Sequence, residues 1–208
     1  MSTAEVKHPG LNLHSSDPST HEQAESVVFG FWAFLMSDAV LFAVLFATYG
    51  VMLSRTAGGP GPAQEYKISS AFFETLLLLS SSFTFGIASL SMKYKRERRS
   101  LLVWLGVTLL LGLAFLGMEI NDFATMIHNG APATRSGYLS SFYVLVSTHG
   151  VHVFSGCIWI IVMIIQVMVF GVTPEVKTRI LRLGLFWHFL DIVWVAIFSV
   201  VYLQGLAK

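Results

Sequence analysis

Between Arg135 and Glu175 the chain runs for 39 residues without an Asp, Glu, Lys or Arg. A helix needs roughly 20 mostly apolar residues to cross a hydrocarbon core of about 30 Å. With no turn signal inside the run, one long tilted helix over 139–170 is predicted instead of two shorter ones. Dividing the rest of the chain at its charged residues gives four more spans. These cover 27–53 with only Asp38 inside, 68–92 with Glu74, 101–123 closing on Glu119 and Asp122, and 180–206 carrying His188 and Asp191. All five are continuously apolar, whereas a barrel strand of about ten residues would be apolar at every second position. The fold class predicted is an all-α integral membrane protein, a bundle of five transmembrane helices.

The composition agrees. Of 208 residues, 54% are hydrophobic and 12% charged, about half the charged share of a typical soluble domain; mean hydropathy is +0.68. A formal net charge of +1 provides no field that would draw the chain to nucleic acid. The single cysteine, Cys157, rules out an internal disulfide and a thiolate cluster. Residues 1–26 are polar, contain His8, His14 and His21, and lack the basic-then-apolar layout of a signal peptide. They are expected to form a flexible, uncleaved tail ahead of a transmembrane domain over 27–206.

Orientation follows from Lys and Arg. Lys7, Lys93, Lys95, Arg96, Arg98, Arg99, Lys177, Arg179 and Arg182 fall on one side, against Arg55, Lys67, Arg135 and Lys208 on the other. The N-terminus is therefore expected in the cytoplasm and the C-terminus outside. The loop after the second span serves first as a topology determinant, with binding of anionic headgroups as a second reading.

Polar groups inside the spans disfavour insertion by about 2.5 to 3.5 kcal/mol for a central Asp, so each needs compensation. Asp38 falls near the bilayer midplane and reads as a proton-relay carboxylate, an anchor for a partner, or a hydrogen-bonded acid. Glu74 and Glu119 lie at similar depth and could face one another, with Asp122 on the face of Glu119. His149 and His152 are three residues apart on the fourth span, and His188 and Asp191 repeat that spacing on the fifth, flanked by Trp187 and Trp194. These groups could meet as a metal or haem ligand set or as interhelical hydrogen bonds. No GxSxG, Walker loop or HExxH is present. Gly112, Gly117, Gly150 and Gly156 suit close helix approach.

The stretch Gly30-Phe31-Trp32 through Leu35-Met36-Ser37-Asp38 to Phe46-Ala47-Thr48-Tyr49 resembles subunit III of the haem-copper terminal oxidases. So do Glu74-Thr75, Gly117-Met118-Glu119, Thr148-His149-Gly150 with His152-Val153, and Phe186-Trp187-His188-Phe189 with Asp191 and Val193-Trp194. The likeness spans residues 27 to 205 in order. Within that family it is most similar to the five-helix subunit III of bo-type ubiquinol oxidases, with Thr56-Ala57-Gly58-Gly59-Pro60 and Arg135-Ser136-Gly137 in the corresponding loops. The seven-helix form of cytochrome c oxidases has two further N-terminal helices.

The resemblance implies a non-catalytic accessory subunit in a bacterial cytoplasmic (inner) membrane, with no haem, copper or other metal of its own. Haems and copper are implied for subunit I, which reduces oxygen to water and pumps protons. Subunit I is the main implied contact, with subunits II and IV in the same complex and ubiquinol met only through it. Phospholipid is implied in a cleft between the helices. Asp38 aligns with the family's intramembrane acid, while Glu74, Glu119, His149, His152, His188, Asp191, Trp187 and Trp194 read as interhelical polar contacts around the cleft. In the seven-helix form the missing helix pair supplies one wall of that cleft, so here the wall comes from another subunit or the lipid site is altered. The alternatives are subunit III of a cytochrome c oxidase, an independent haem or metal protein, and a proton-coupled transporter built on Asp38.

Overall fold

A computed structural model describes residues 18–58, 68–93 and 98–203, with side chains from residue 26 onward except at 68 and 93. Among these residues there is no strand. Five helices are long and apolar enough to cross a membrane: α1 (Pro18–Met52), α2 (Ile68–Lys93), α3 (Arg98–His128), α4 (Gly137–Phe170) and α5 (Pro174–Ile197). A π-helical turn, Phe198–Leu203, continues α5, and a 3-10 turn, Ala133–Arg135, precedes α4. The chain is a multi-pass membrane protein.

The helix ends are written in local chemistry. Gly130 has φ +81°, which only glycine adopts freely. Its N–H bonds Ile127 O at 3.1 Å and the N–H of Ala131 bonds Met126 O at 3.0 Å, the paired closure of a Schellman motif. Ser136 caps α4 by accepting from Leu139 N at 3.1 Å, and α4 runs unbroken for 34 residues, as the charge-free stretch predicts. Gly171 (φ +74°) ends it. Two residues later Thr173 caps α5, with Pro174 in its first turn. That three-residue connection forces α4 and α5 antiparallel.

Several boundaries differ from the sequence expectation. α1 begins at Pro18, so residues 18–26, expected in the tail, are helical; residues 1–17 lie outside those described. Helical backbone satisfies its own hydrogen bonds, so polar residues extend an apolar helix into water without penalty. The same reason lengthens α3 to 98–128 and starts α5 six residues early. The last turn widens to π at 198–203, which no sequence signal announced.

α2 packs along α3 and α5, α4 lies against α3 and α5, and α1 lies on the outside of α4 and α5. Only 11% of the apolar window of α1 is buried against 56% of that of α5, so α5 is the axis of the bundle and α1 its most peripheral member.

Close approach centres on Trp187, which is fully buried. A Cβ at Gly112 would lie 2.8 Å from its Cη2, and one at Gly156 would lie 2.9 Å from its Cζ3. The indole thus fills a slot whose walls are bare backbone on α3 and α4. We predict that Gly112→Ala and Gly156→Ala each destabilise the protein by about 1–3 kcal/mol, the usual effect of overpacking. Gly106→Ala, with nothing within 4 Å, should leave the melting temperature in detergent unchanged or slightly raised.

Candidate functional site

The hydrophobic interior is crossed by a ladder of polar contacts. On α2, Thr75 accepts a hydrogen bond from Trp194 Nε1 at 3.0 Å, and Ser81 accepts one from Trp187 Nε1 at 3.0 Å. Both hydroxyls donate back to their own helix, Thr75 to Ala71 O at 2.7 Å and Ser81 to Leu78 O at 2.6 Å. Facing α3, the hydroxyls of Thr84 and Thr108 share a hydrogen bond at 2.8 Å. A hydroxyl that donates to its own helix and accepts from another leaves no polar atom to hydrocarbon. The sequence places Trp187 and Trp194 among the interhelical groups, and both donate across to α2. Thr75 enters the sequence reading only within the Glu74-Thr75 motif, and Ser81, Ser82, Thr84 and Thr108 do not enter it, although the run Ser80-Ser81-Ser82 inside a transmembrane span is a visible signal.

The three histidines do not converge. His149 is completely buried. Its Nε2 donates to Leu190 O at 3.3 Å, while Phe115 meets its edge and Trp194 lies 5.3 Å away, centroid to centroid. His152 turns toward α1, its Nε2 3.8 Å from Asp38 Oδ2. His188 faces α2, its Nδ1 2.7 Å from Ser82 Oγ and 3.5 Å from Asp191 Oδ2. The meeting of all four groups that spacing allowed is therefore corrected: helix rotation sends each imidazole to a different neighbour. Among the described residues no three His, Cys, Asp or Glu side chains are placed to hold one metal ion.

Asp38, halfway along the apolar part of α1, has His152 as its partner, a pairing that sequence spacing could not suggest. His152 Nδ1 donates to Thr148 O at 2.6 Å. A carbonyl only accepts, so Nδ1 holds a hydrogen and Nε2 is left to face Asp38. Attraction between the two then needs one further proton, on either partner. Phe42 packs on the ring of His152 from α1, covering the pair from one side.

Glu74 and Glu119 are both buried and share an electrostatic neighbourhood with Asp122 and Tyr202. Glu119 lies directly on Gly150, where a Cβ would sit 2.7 Å from its Oε1. Among the described residues, Glu74 Oε1, Glu119 Oε2 and His149 Nδ1 are buried without a hydrogen-bond partner, and the carboxylate of Asp191 has His188 as its nearest basic neighbour. Such groups in hydrocarbon are held by neighbouring dipoles or by a proton.

Trp194→Phe keeps the ring and removes the N–H that Thr75 accepts. It should destabilise the protein by about 0.6 to 1.7 kcal/mol, and adding Thr75→Val should not add a second increment of that size. Equilibrium unfolding in mixed detergent micelles measures both.

A model of the cytochrome c oxidase subunit III family matches residues 15–206. The chain is 49% identical over 203 residues to the cytochrome bo(3) ubiquinol oxidase subunit 3 of Pseudomonas aeruginosa, covering 94% of this chain and 97% of that one. It is 45% identical over 179 residues to the quinol oxidase subunit 3 of Bacillus spizizenii, covering 86% and 87%. It is also 42% identical over 177 residues to the cytochrome c oxidase subunit 3 of Bacillus sp. strain PS3, covering 85% of each.

Proposed function

The chain belongs to the cytochrome c oxidase subunit III family, and on that premise we propose that it is the accessory subunit III of a bacterial haem-copper oxidase that oxidises ubiquinol. The observation that carries the reading is the end-to-end match to the Pseudomonas aeruginosa ubiquinol oxidase subunit, which leaves almost none of either chain unpaired. The corresponding location is the bacterial inner membrane.

In this reading the chain itself performs no redox step. Oxygen reduction and proton pumping belong to subunit I, which also carries the haems and copper; subunits II and IV complete the assembly. The task left to this chain is to brace subunit I and hold phospholipid between its helices. Arg98, Arg99, Lys177, Arg179 and Arg182 would face the cytoplasm. Arg98 donates to Met168 O and Arg179 to Gln166 Oε1 at 2.8 Å, so these cations fasten the ends of α3, α4 and α5 at one membrane surface.

Donor identity is the point at which a second reading has support, because the Bacillus sp. strain PS3 relative is a cytochrome c oxidase subunit. Purification through a tagged N-terminus in mild detergent should recover a haem-bearing partner and oxygen uptake driven by ubiquinol; uptake driven by reduced cytochrome c instead would favour the second reading. In the purified oxidase, Asp38→Asn should assemble normally while activity declines faster over prolonged turnover, since the amide keeps hydrogen bonding but cannot exchange a proton. Wild-type durability would remove Asp38 from function.

A further inference from the structure

Among the described ionisable side chains at mid-membrane depth, that of His188 is turned outward furthest. His188 stands halfway along the span Pro174–Leu203, and its neighbour Ser82 stands near the middle of Ser69–Met92, so each is about 15 to 22 Å from the ends of its span. The His188 side chain is nonetheless 47% exposed. Ser82 holds Nδ1 and Phe85 meets the ring edge-on, yet Nε2 has no hydrogen-bond partner among the described residues. Asp38 and His152, also partly exposed, face each other, and His149 is sealed inside.

The surroundings of His188 form a groove. α1 and α2 both pack on α5 but hardly on one another. Where His188 touches Ser82 of α2, the next residue, Phe189, touches Phe42 of α1. Between those two contact lines α5 exposes a stripe of His188, Ile192, Val195 and Ser199, with Ile192 70% exposed. Ser199 is satisfied by its own helix, donating to Val195 O at 2.7 Å, which leaves His188 as the polar point on an apolar floor.

Lipid is a poor occupant for that point. Acyl chains carry no hydrogen-bonding atom, and headgroups lie about 15 Å away at the interface; an unsatisfied polar nitrogen in hydrocarbon is disfavoured by several kcal/mol. A helix bearing a hydroxyl, amide or indole at the same depth satisfies it, while its apolar residues cover Ile192 and Val195. We propose that the groove between α1 and α2, floored by α5, seats a transmembrane helix of another subunit of the oxidase, hydrogen-bonded to His188 Nε2. This assignment rests on the subunit reading above.

The test uses the intact complex. A photoreactive amino acid at position 192 should, on irradiation in native membranes, form an adduct with an oxidase subunit identified by mass spectrometry after purification. His188→Leu should weaken retention of that subunit in stringent detergent by about three- to twentyfold, the effect of one interhelical hydrogen bond, and His188→Gln should largely restore it. Adducts with phospholipid alone, together with undiminished retention in His188→Leu, would overturn the docking assignment and leave the subunit reading intact. A wild-type chain that purifies with no other subunit would overturn both.

Discussion

The indole of Trp187 joins four helices at one point. It stands on α5, passes between the bare backbones of Gly112 on α3 and Gly156 on α4, and delivers its N–H to Ser81 on α2. In a bilayer the hydrophobic effect does not hold helices together, because lipid is as apolar as leucine; close packing and interhelical hydrogen bonds do so instead. One large flat side chain with a single donor supplies both. Its position on α5, the most buried helix, explains why the other elements are arranged about that axis.

The same constraint governs the hydroxyls and the second buried indole. Trp194 repeats the Trp187 arrangement seven residues on, donating to Thr75. Phe115 meets its ring edge-on at 4.7 Å, a geometry that favours the positive edge of one ring over the negative face of another. Hydroxyls on α2 serve as acceptors toward α5 and as a shared bond toward α3. The resulting α2–α3–α4–α5 unit is tight. α1 is attached through fewer contacts, prominent among them Phe42 on His152 and on Phe189, with Asp38 directed at His152.

That asymmetry suits an accessory subunit. A bundle with a tight four-helix unit and one peripheral helix leaves a lateral groove and broad apolar faces, including Val103 and Leu110 on α3 and Val151, Phe154 and Ile165 on α4. Faces of that kind are stable only against lipid or other apolar helices. Glu74, Glu119, His149 and Asp191 are kept inside, where each can be neutralised by a proton or a neighbouring dipole.

The sequence by itself determined the number of helices, their order and their approximate extent. The free energy of placing a charge in hydrocarbon is so large that gaps between charged residues nearly dictate the spans; the 39-residue gap could only be α4. It also determined family membership through ordered motifs, and it flagged Asp38, His149, His152, His188, Asp191, Trp187 and Trp194 as residues needing an explanation. What it could not determine was who meets whom. Spacing of three residues puts His149 and His152 on nearly the same helix face, yet the angle between them suffices to send one to Leu190 O and the other toward Asp38, more than a hundred residues away in sequence. Partner choice depends on the rotation of each helix about its own axis, and that rotation is fixed by packing: by where glycines admit an indole, and where a serine on α2 happens to stand. The tertiary structure alone decided that His149 is enclosed and His188 exposed, because burial belongs to the whole bundle and not to either residue's neighbours in the chain.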